Sequence, residues 1–166
     1  MKWIRVVDTL PKRILVFFLI LFLRVPHAFA EPVFGKVVSV ADGDTITVLV
    51  DRKQIKVRLA EIDAPEKRQP FGSRAKQAMS ELVFGKTVGV VTVDRDRYGR
   101  TVGQVFTESG NINEKMVQLG YAWVYRKYAK NPKSFGFERM AREAKRGLWR
   151  DPKPVPPWEW RKKGKH

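Results

Sequence analysis

Five short runs rich in β-branched residues, with a single amphipathic helix inserted after the third, are the pattern that most limits what this chain can become. The runs are Phe34 to Ala41, Thr45 to Val50, Gln54 to Ile62, Thr87 to Val93 and Thr101 to Thr107. Their partial alternation of apolar and polar residues predicts strands with one buried face. Asp42-Gly43-Asp44 joins the first two and Asp51-Arg52-Lys53 the next two, so three consecutive strands are expected to form a meander. Between the third and fourth strands, Ala75, Ala78, Met79, Leu82 and Val83 recur at helical spacing, with Ser73 as N-cap and Gly85 as stop. A second, shorter helix is expected from an Asn113 cap to Gly120, and a third with Phe137, Met140, Ala141, Ala144 and Leu148 on its core face. The segment Asp151 to His166 is Pro-rich and basic, contains Trp158 and Trp160, and predicts an extended or disordered tail.

Strands in this order, with one helix after the third, match an OB-fold. The fold class is therefore α+β, mainly β: a five-stranded OB-fold barrel with about three helices. Such barrels often bind nucleic acids or sugars, but the fold alone leaves function open. Ahead of the barrel, Lys2, Arg5, Lys12 and Arg13 precede the apolar run Ile14 to Leu23 and the small-residue end Ala28-Phe29-Ala30. This is the pattern of a cleavable export signal over residues 1–30, with a mature domain from Glu31 and a basic tail after residue 150. Arg24 and Pro26 shorten the apolar run below what a spanning helix needs, so no stable membrane association is expected after cleavage. The protein is then periplasmic or secreted. Removing the leader takes five of 33 basic and one of 17 acidic residues, leaving a net charge of +12 that favours a polyanionic partner. With no cysteine anywhere, stability must come from an ordinary core.

The two histidines, His27 and His166, fall in the leader and at the last position, which removes imidazole from the acid–base chemistry of the folded domain. Without Cys or an internal His, a metal would be bound by oxygen, as hard cations are. Acidic candidates concentrate in Asp42-Gly43-Asp44-Thr45 and in Asp63-Ala64-Pro65-Glu66. Alone, the first also reads as a simple turn and the second as a helix cap. In Ile55-Lys56-Val57-Arg58-Leu59 the apolar residues point inward and Arg58 outward, near the Asp63 end of its strand. Arg100 closes the charged connection Asp94-Arg95-Asp96-Arg97-Tyr98-Gly99-Arg100, where Gly99 also serves an ordinary turn.

Taken in order, Asp42-Gly43-Asp44-Thr45, Arg58-Leu59, Asp63-Ala64-Pro65-Glu66 and Tyr98-Gly99-Arg100 resemble the staphylococcal nuclease (thermonuclease) family. The resemblance spans roughly Phe34 to Trp149 and includes Asn113-Glu114 and Leu119-Gly120-Tyr121-Ala122. It implies that the Asp44 and Asp63 carboxylates and the Ala64 main-chain carbonyl bind calcium. It further implies that Glu66 is the general base and that Arg58 and Arg100 bind the phosphate. Members often carry threonine where Ala64 stands; the carbonyl role survives that change, the hydroxyl contact does not. The implied activity is a sugar-nonspecific, calcium-dependent hydrolysis of DNA and RNA that leaves 3′-phosphate ends.

The physical chemistry agrees with those roles. A cation and two guanidinium groups would offset the charge that grows on a phosphodiester in its transition state, and arginine offers planar, paired donors for the purpose. Two carboxylates and a carbonyl suit calcium's loose geometry better than magnesium's strict octahedron. Tyr98 is the first choice for substrate contact, with Tyr121, Trp123, Tyr125 and Tyr128 as platforms or core residues. A monomer is the default expectation. Two other readings stay open: an OB-fold module that holds single-stranded nucleic acid without cutting it, and a cationic protein that acts at anionic surfaces.

Overall fold

The computed structural model describes residues 31–163; the expected export leader and His166 lie outside them. Strands β1 (Val33–Val40), β2 (Thr45–Val50) and β3 (Lys53–Leu59) form the expected antiparallel meander. The β2–β3 turn places Asp51 and Arg52 at φ 43° and 66°, the left-handed geometry that a two-residue hairpin loop demands. β5 (Thr87–Arg95) pairs with β1 and with β6 (Thr101–Thr107), both antiparallel. β6 then meets β3 in parallel, Val57 opposite Thr101 and Leu59 opposite Gly103, which closes a mixed barrel of five strands and removes the free edges. Two-residue strand β7 (Gly110–Asn111) folds back and pairs antiparallel with the end of β6.

The inward residues Val37, Ile46, Val57, Leu59 and Val105 fill the barrel. Its ends are sealed by Ala75, Met79 and Val83 of α1 (Gly72–Val83) and by Ile112 and Met116 of α2 (Ile112–Gln118). Asn113, expected to cap α2, lies inside it, and Asn111 is the cap, accepting from the Glu114 N–H. Asn113 is instead a buried rivet. Its oxygen accepts from the Val105 N–H (3.0 Å) and its amide donates to the carbonyls of Ala60 (2.9 Å) and Gly103 (3.2 Å).

Several sequence expectations need correction. The third strand does not continue to Ile62: Glu61 takes φ 64° and turns the chain, so β4 (Ile62–Asp63) leaves the barrel and pairs with β8 (Trp123–Val124). Ser73 does not cap α1; the helix starts at Gly72 behind Phe71 at φ 67°, because a Cβ at position 72 would run into the Glu66 carbonyl. On α3 (Pro132–Glu143) Ala141 is buried and Phe137 half-buried, but Met140 is 53 % exposed and outside the core stripe. Leu148 lies beyond it in a 3-10 turn, Gly147–Arg150. The tail is neither extended nor detached: residues Pro157–Lys163 form a fourth helix, α4. Apolar burial docks it, Trp158 lying edge-on to Trp123 (5.7 Å) and stacked on Tyr125 (5.6 Å, 4° between planes), while Gln69 Nε2 donates to the Val155 carbonyl at 2.6 Å. No helix among the described residues is long and apolar enough to cross a membrane.

Replacing Asn113 by Ala would take a partner from the buried Val105 N–H and Ala60 carbonyl at the β3–β6 junction, while the Gly103 carbonyl keeps the Ala60 N–H at 2.8 Å. The expected loss is about 2–4 kcal/mol in urea unfolding, with no change of slope.

Candidate active site

The β1–β2 turn brings the first acidic segment onto the second. Asp42 Oδ1 accepts from the Asp44 N–H (3.0 Å), a local turn that points Asp44 inward. Gly43 is required by close approach, since a Cβ there would sit 2.7 Å from those of both Ala64 and Ala75. Asp44 Oδ2 accordingly accepts from the Ala64 N–H (2.7 Å), and its Oδ1 from the Thr45 hydroxyl (3.1 Å). Asp63, 1 % exposed, arrives from β4, redirected by the turn at Glu61.

Arg58 joins these two carboxylates. Its Nε lies 3.2 Å from Asp44 Oδ1 and its Nη2 donates to Asp63 Oδ1 at 3.0 Å. Nη1 donates to the carbonyls of Leu59 (2.6 Å) and Ile62 (2.9 Å). Of five guanidinium N–H groups, one Nη2 hydrogen remains for another partner. Burial is the main cause that pushes Asp44 up to about 7; Arg58 and the Ala64 N–H oppose it, while Asp42 and Asp63 add to it.

Arg100 and Tyr98 come from the β5–β6 connection, on the far side of the same cleft, which has a volume of about 980 Å³. Arg100 Nε donates to Asp96 Oδ2 (2.6 Å), and its guanidinium lies 5.6 Å from the Tyr98 ring centre. Burial works to raise Asp96, but the hydrogen bonds from Arg100 and from the Tyr98 N–H outweigh it and hold the carboxyl below its ordinary value. Tyr98, 69 % exposed, also accepts from Arg97 Nη2 at its hydroxyl (2.7 Å).

The cleft thus gathers Asp44, Asp63, Ala64, Glu66, Arg58, Arg100 and Tyr98, every residue singled out in the sequence. Of the further aromatics, Tyr125 and Tyr128 line it, whereas Tyr121 and Trp123 pack into the apolar clusters. Sequence reasoning missed Arg161. Its Nη1 donates to Asp63 Oδ1 (3.2 Å) and Glu66 Oε1 (2.7 Å), and its Nη2 to Asp63 Oδ2 (2.8 Å). The hydrogen bonds to Asp63, then those to Glu66, hold the Arg161 guanidinium more firmly protonated than usual despite its partial burial. Trp158 of the same helix also lines the cleft. The available signal was Pro157 opening a short run in which Trp158 and Arg161 are three residues apart, on one helical face.

Asp44, Asp63 and the Ala64 carbonyl are oxygen donors of the kind a hard cation takes, and Arg161 already pairs with Asp63 and Glu66 beside them. Among the described residues no three acidic side chains close into a metal cage. Two carboxylates and the Ala64 carbonyl on an open rim would leave the other coordination positions to water and substrate.

An OB-type barrel with oxygen donors and arginines round one cleft defines a class of protein equipped to handle phosphodiesters. The comparisons specify it. Residues 56–151 match the family model described as staphylococcal nuclease homologue. An Escherichia coli O157:H7 protein named uncharacterized endonuclease is 48 % identical over 144 residues, covering 86 % of this chain and 94 % of that protein. A Shigella flexneri protein named micrococcal nuclease is 48 % identical over 143 residues, 80 % of this chain and 82 % of its own. A Haemophilus influenzae protein named uncharacterized endonuclease is 41 % identical over 155 residues, 93 % of this chain and 87 % of its own. The chain belongs to the staphylococcal nuclease family, and a nuclease function follows from that membership.

The raised Asp44 makes a testable statement about stability. Ionising it in the folded protein costs free energy, a cost absent below the unfolded value of 3.8 and complete above about 7. In chelator, the melting temperature of Asp44→Asn relative to the unaltered protein is expected to rise as pH increases through that window. Calorimetry across pH checks the sign.

Proposed function

We propose that this nuclease is an endonuclease that hydrolyses phosphodiester bonds in DNA and RNA, depends on calcium, is indifferent to the sugar and leaves 3′-phosphate ends. The observation that carries the reading is the convergence of Asp44, Asp63, Glu66, Arg58 and Arg100 on one cleft. The names borne by the relatives, endonuclease and micrococcal nuclease, support it. Asp44, Asp63 and the Ala64 carbonyl would hold calcium. Bound there, the ion supplies Lewis-acid stabilisation of the phosphate charge.

The remaining steps belong to the chain's own groups. Glu66, whose side chain is 39 % exposed, is reachable by a water and would accept its proton as the water oxygen bonds to phosphorus and the bond from phosphorus to the 5′-oxygen breaks, that oxygen leaving as a hydroxyl once protonated from solvent. Arg100 presents a guanidinium braced by Asp96 and set over Tyr98, placed to pair with non-bridging phosphate oxygens. Arg58 contributes its one free Nη2 hydrogen and, chiefly, fixes the spacing of Asp44 and Asp63. Tyr98 and Tyr128, both exposed, offer rings on which bases of any sequence would stack, and the basic excess would grip the backbone. The protein would work as a monomer after export, in a periplasm or outside the cell.

The test follows digestion of single- and double-stranded DNA and of RNA in calcium, magnesium or chelator. Glu66→Gln and Arg100→Ala are each expected to lose about 10²–10⁴ in kcat. Cleavage that survives chelator, or both substitutions, would refute the reading; DNA retained intact by the unaltered protein would favour the non-cutting binder.

A further inference from the structure

Arg161 occupies oxygens that the calcium reading needs. Both oxygens of Asp63 accept from its guanidinium, and Asp63 Oδ1 accepts from Arg58 as well. Its remaining contact takes an oxygen of Glu66. A carboxylate paired in this way has its charge offset and its in-plane lone pairs engaged, so it is a poor ligand for an arriving cation. The pairing is nonetheless built to open. The Arg161 side chain is 41 % exposed, and α4 is held by groups other than Arg161: Trp158 against Trp123 and Tyr125, and Gln69 on the Val155 carbonyl. The guanidinium can swing into solvent while its helix stays docked.

We propose that Arg161 is a resident counter-ion of Asp63 and Glu66 that a divalent cation must displace, so that this residue sets the calcium affinity of the site. The inference rests on the calcium reading given above. In the free protein Arg161 neutralises Asp63 and Glu66, and Asp63 is one of the two carboxylates whose repulsion acts on Asp44 against the attraction of Arg58. When the cation binds, the same charge is supplied twice, and the guanidinium leaves. Affinity is then lowered by whatever free energy the Arg161 pairs contribute, and removing them restores it. A general charge effect would behave differently, because Lys162, next along α4 and also lining the cleft, carries the same charge.

The test is calorimetric titration of calcium chloride into the full chain at fixed ionic strength, without nucleic acid. The unaltered protein is compared with Arg161→Gln, Arg161→Lys and Lys162→Gln, each checked for folding by circular dichroism. Arg161→Gln is expected to bind calcium about five- to tenfold more tightly, with Lys162→Gln changed by less than about twofold. Arg161→Lys keeps the charge but loses the fork that spans Asp63 and Glu66, so an intermediate gain is expected; it serves alone if the glutamine variant does not fold. Unchanged or weaker binding in the Arg161 variants, or an equal gain in Lys162→Gln, overturns the counter-ion role and leaves the calcium reading standing. Absence of calcium binding in the unaltered and Arg161 proteins alike overturns both.

Discussion

Two carboxylates almost stripped of solvent lie together at the mouth of a small barrel, where burial makes Asp44 resist ionisation, and Arg58 is the group that makes the arrangement tenable. Its Nε faces Asp44 at 3.2 Å, its Nη2 donates to Asp63 at 3.0 Å, and Nη1 is tied to two carbonyls of the turn between them. The planar fork converts electrostatic neutralisation into geometry, which a lysine at the same place would not do. That geometry depends in turn on the parallel β3–β6 closure, which fixes the strand carrying Arg58. It depends also on Glu61, whose left-handed backbone swings β4 and Asp63 back toward Asp44. The interaction that holds the barrel's mouth together thus also spaces the oxygens of the site.

The protein as a whole is strongly basic, yet its cleft is acidic at one end. This is a workable division of labour for an enzyme of polyanions. The basic excess favours a polyanionic substrate, while Asp42, Asp44, Asp63 and Glu66 line one cleft in which Arg58 and Arg161 pair with Asp44, Asp63 and Glu66. Arg100 and Tyr98 line the same cleft from the β5–β6 connection. Asp96 pairs with Arg100 locally and orients its guanidinium.

The docked C-terminal helix changes how the site is understood. Trp158 joins an aromatic group with Trp123, Trp149 and Tyr125, over which Arg142 lies 3.9 Å from the Trp149 ring centre. This cluster anchors a segment whose composition alone suggests a solvated tail. Anchoring it places Arg161 against Asp63 and Glu66, so the far end of the chain completes the electrostatic balance of residues some hundred positions earlier.

The barrel was legible in the sequence because β-branched alternation, an Asp-Gly turn and a single helical stripe are local signals; β6 buries the alternating face, whereas a register shift in β1 breaks the alternation between Val37 and Val40. The family motifs, too, are short runs whose order survives in one dimension, so Asp44, Arg58, Asp63, Ala64, Glu66, Tyr98 and Arg100 could all be named before any coordinates. What the tertiary structure decided was whatever depends on contact between distant segments. Asn113 reads locally as a cap, but the carbonyls of Ala60 and Gly103 recruit it into the core. Ser73 reads as a cap, but the Glu66 carbonyl requires glycine at the next position back and moves the helix start there. The tail reads as unfolded because nothing within it can bury Trp158; a partner surface exists only once Trp123 and Tyr125 have been folded into place. Local propensity and spacing thus determined the elements and the residues able to do chemistry. Burial and long-range pairing, which no window of sequence contains, decided which charges meet.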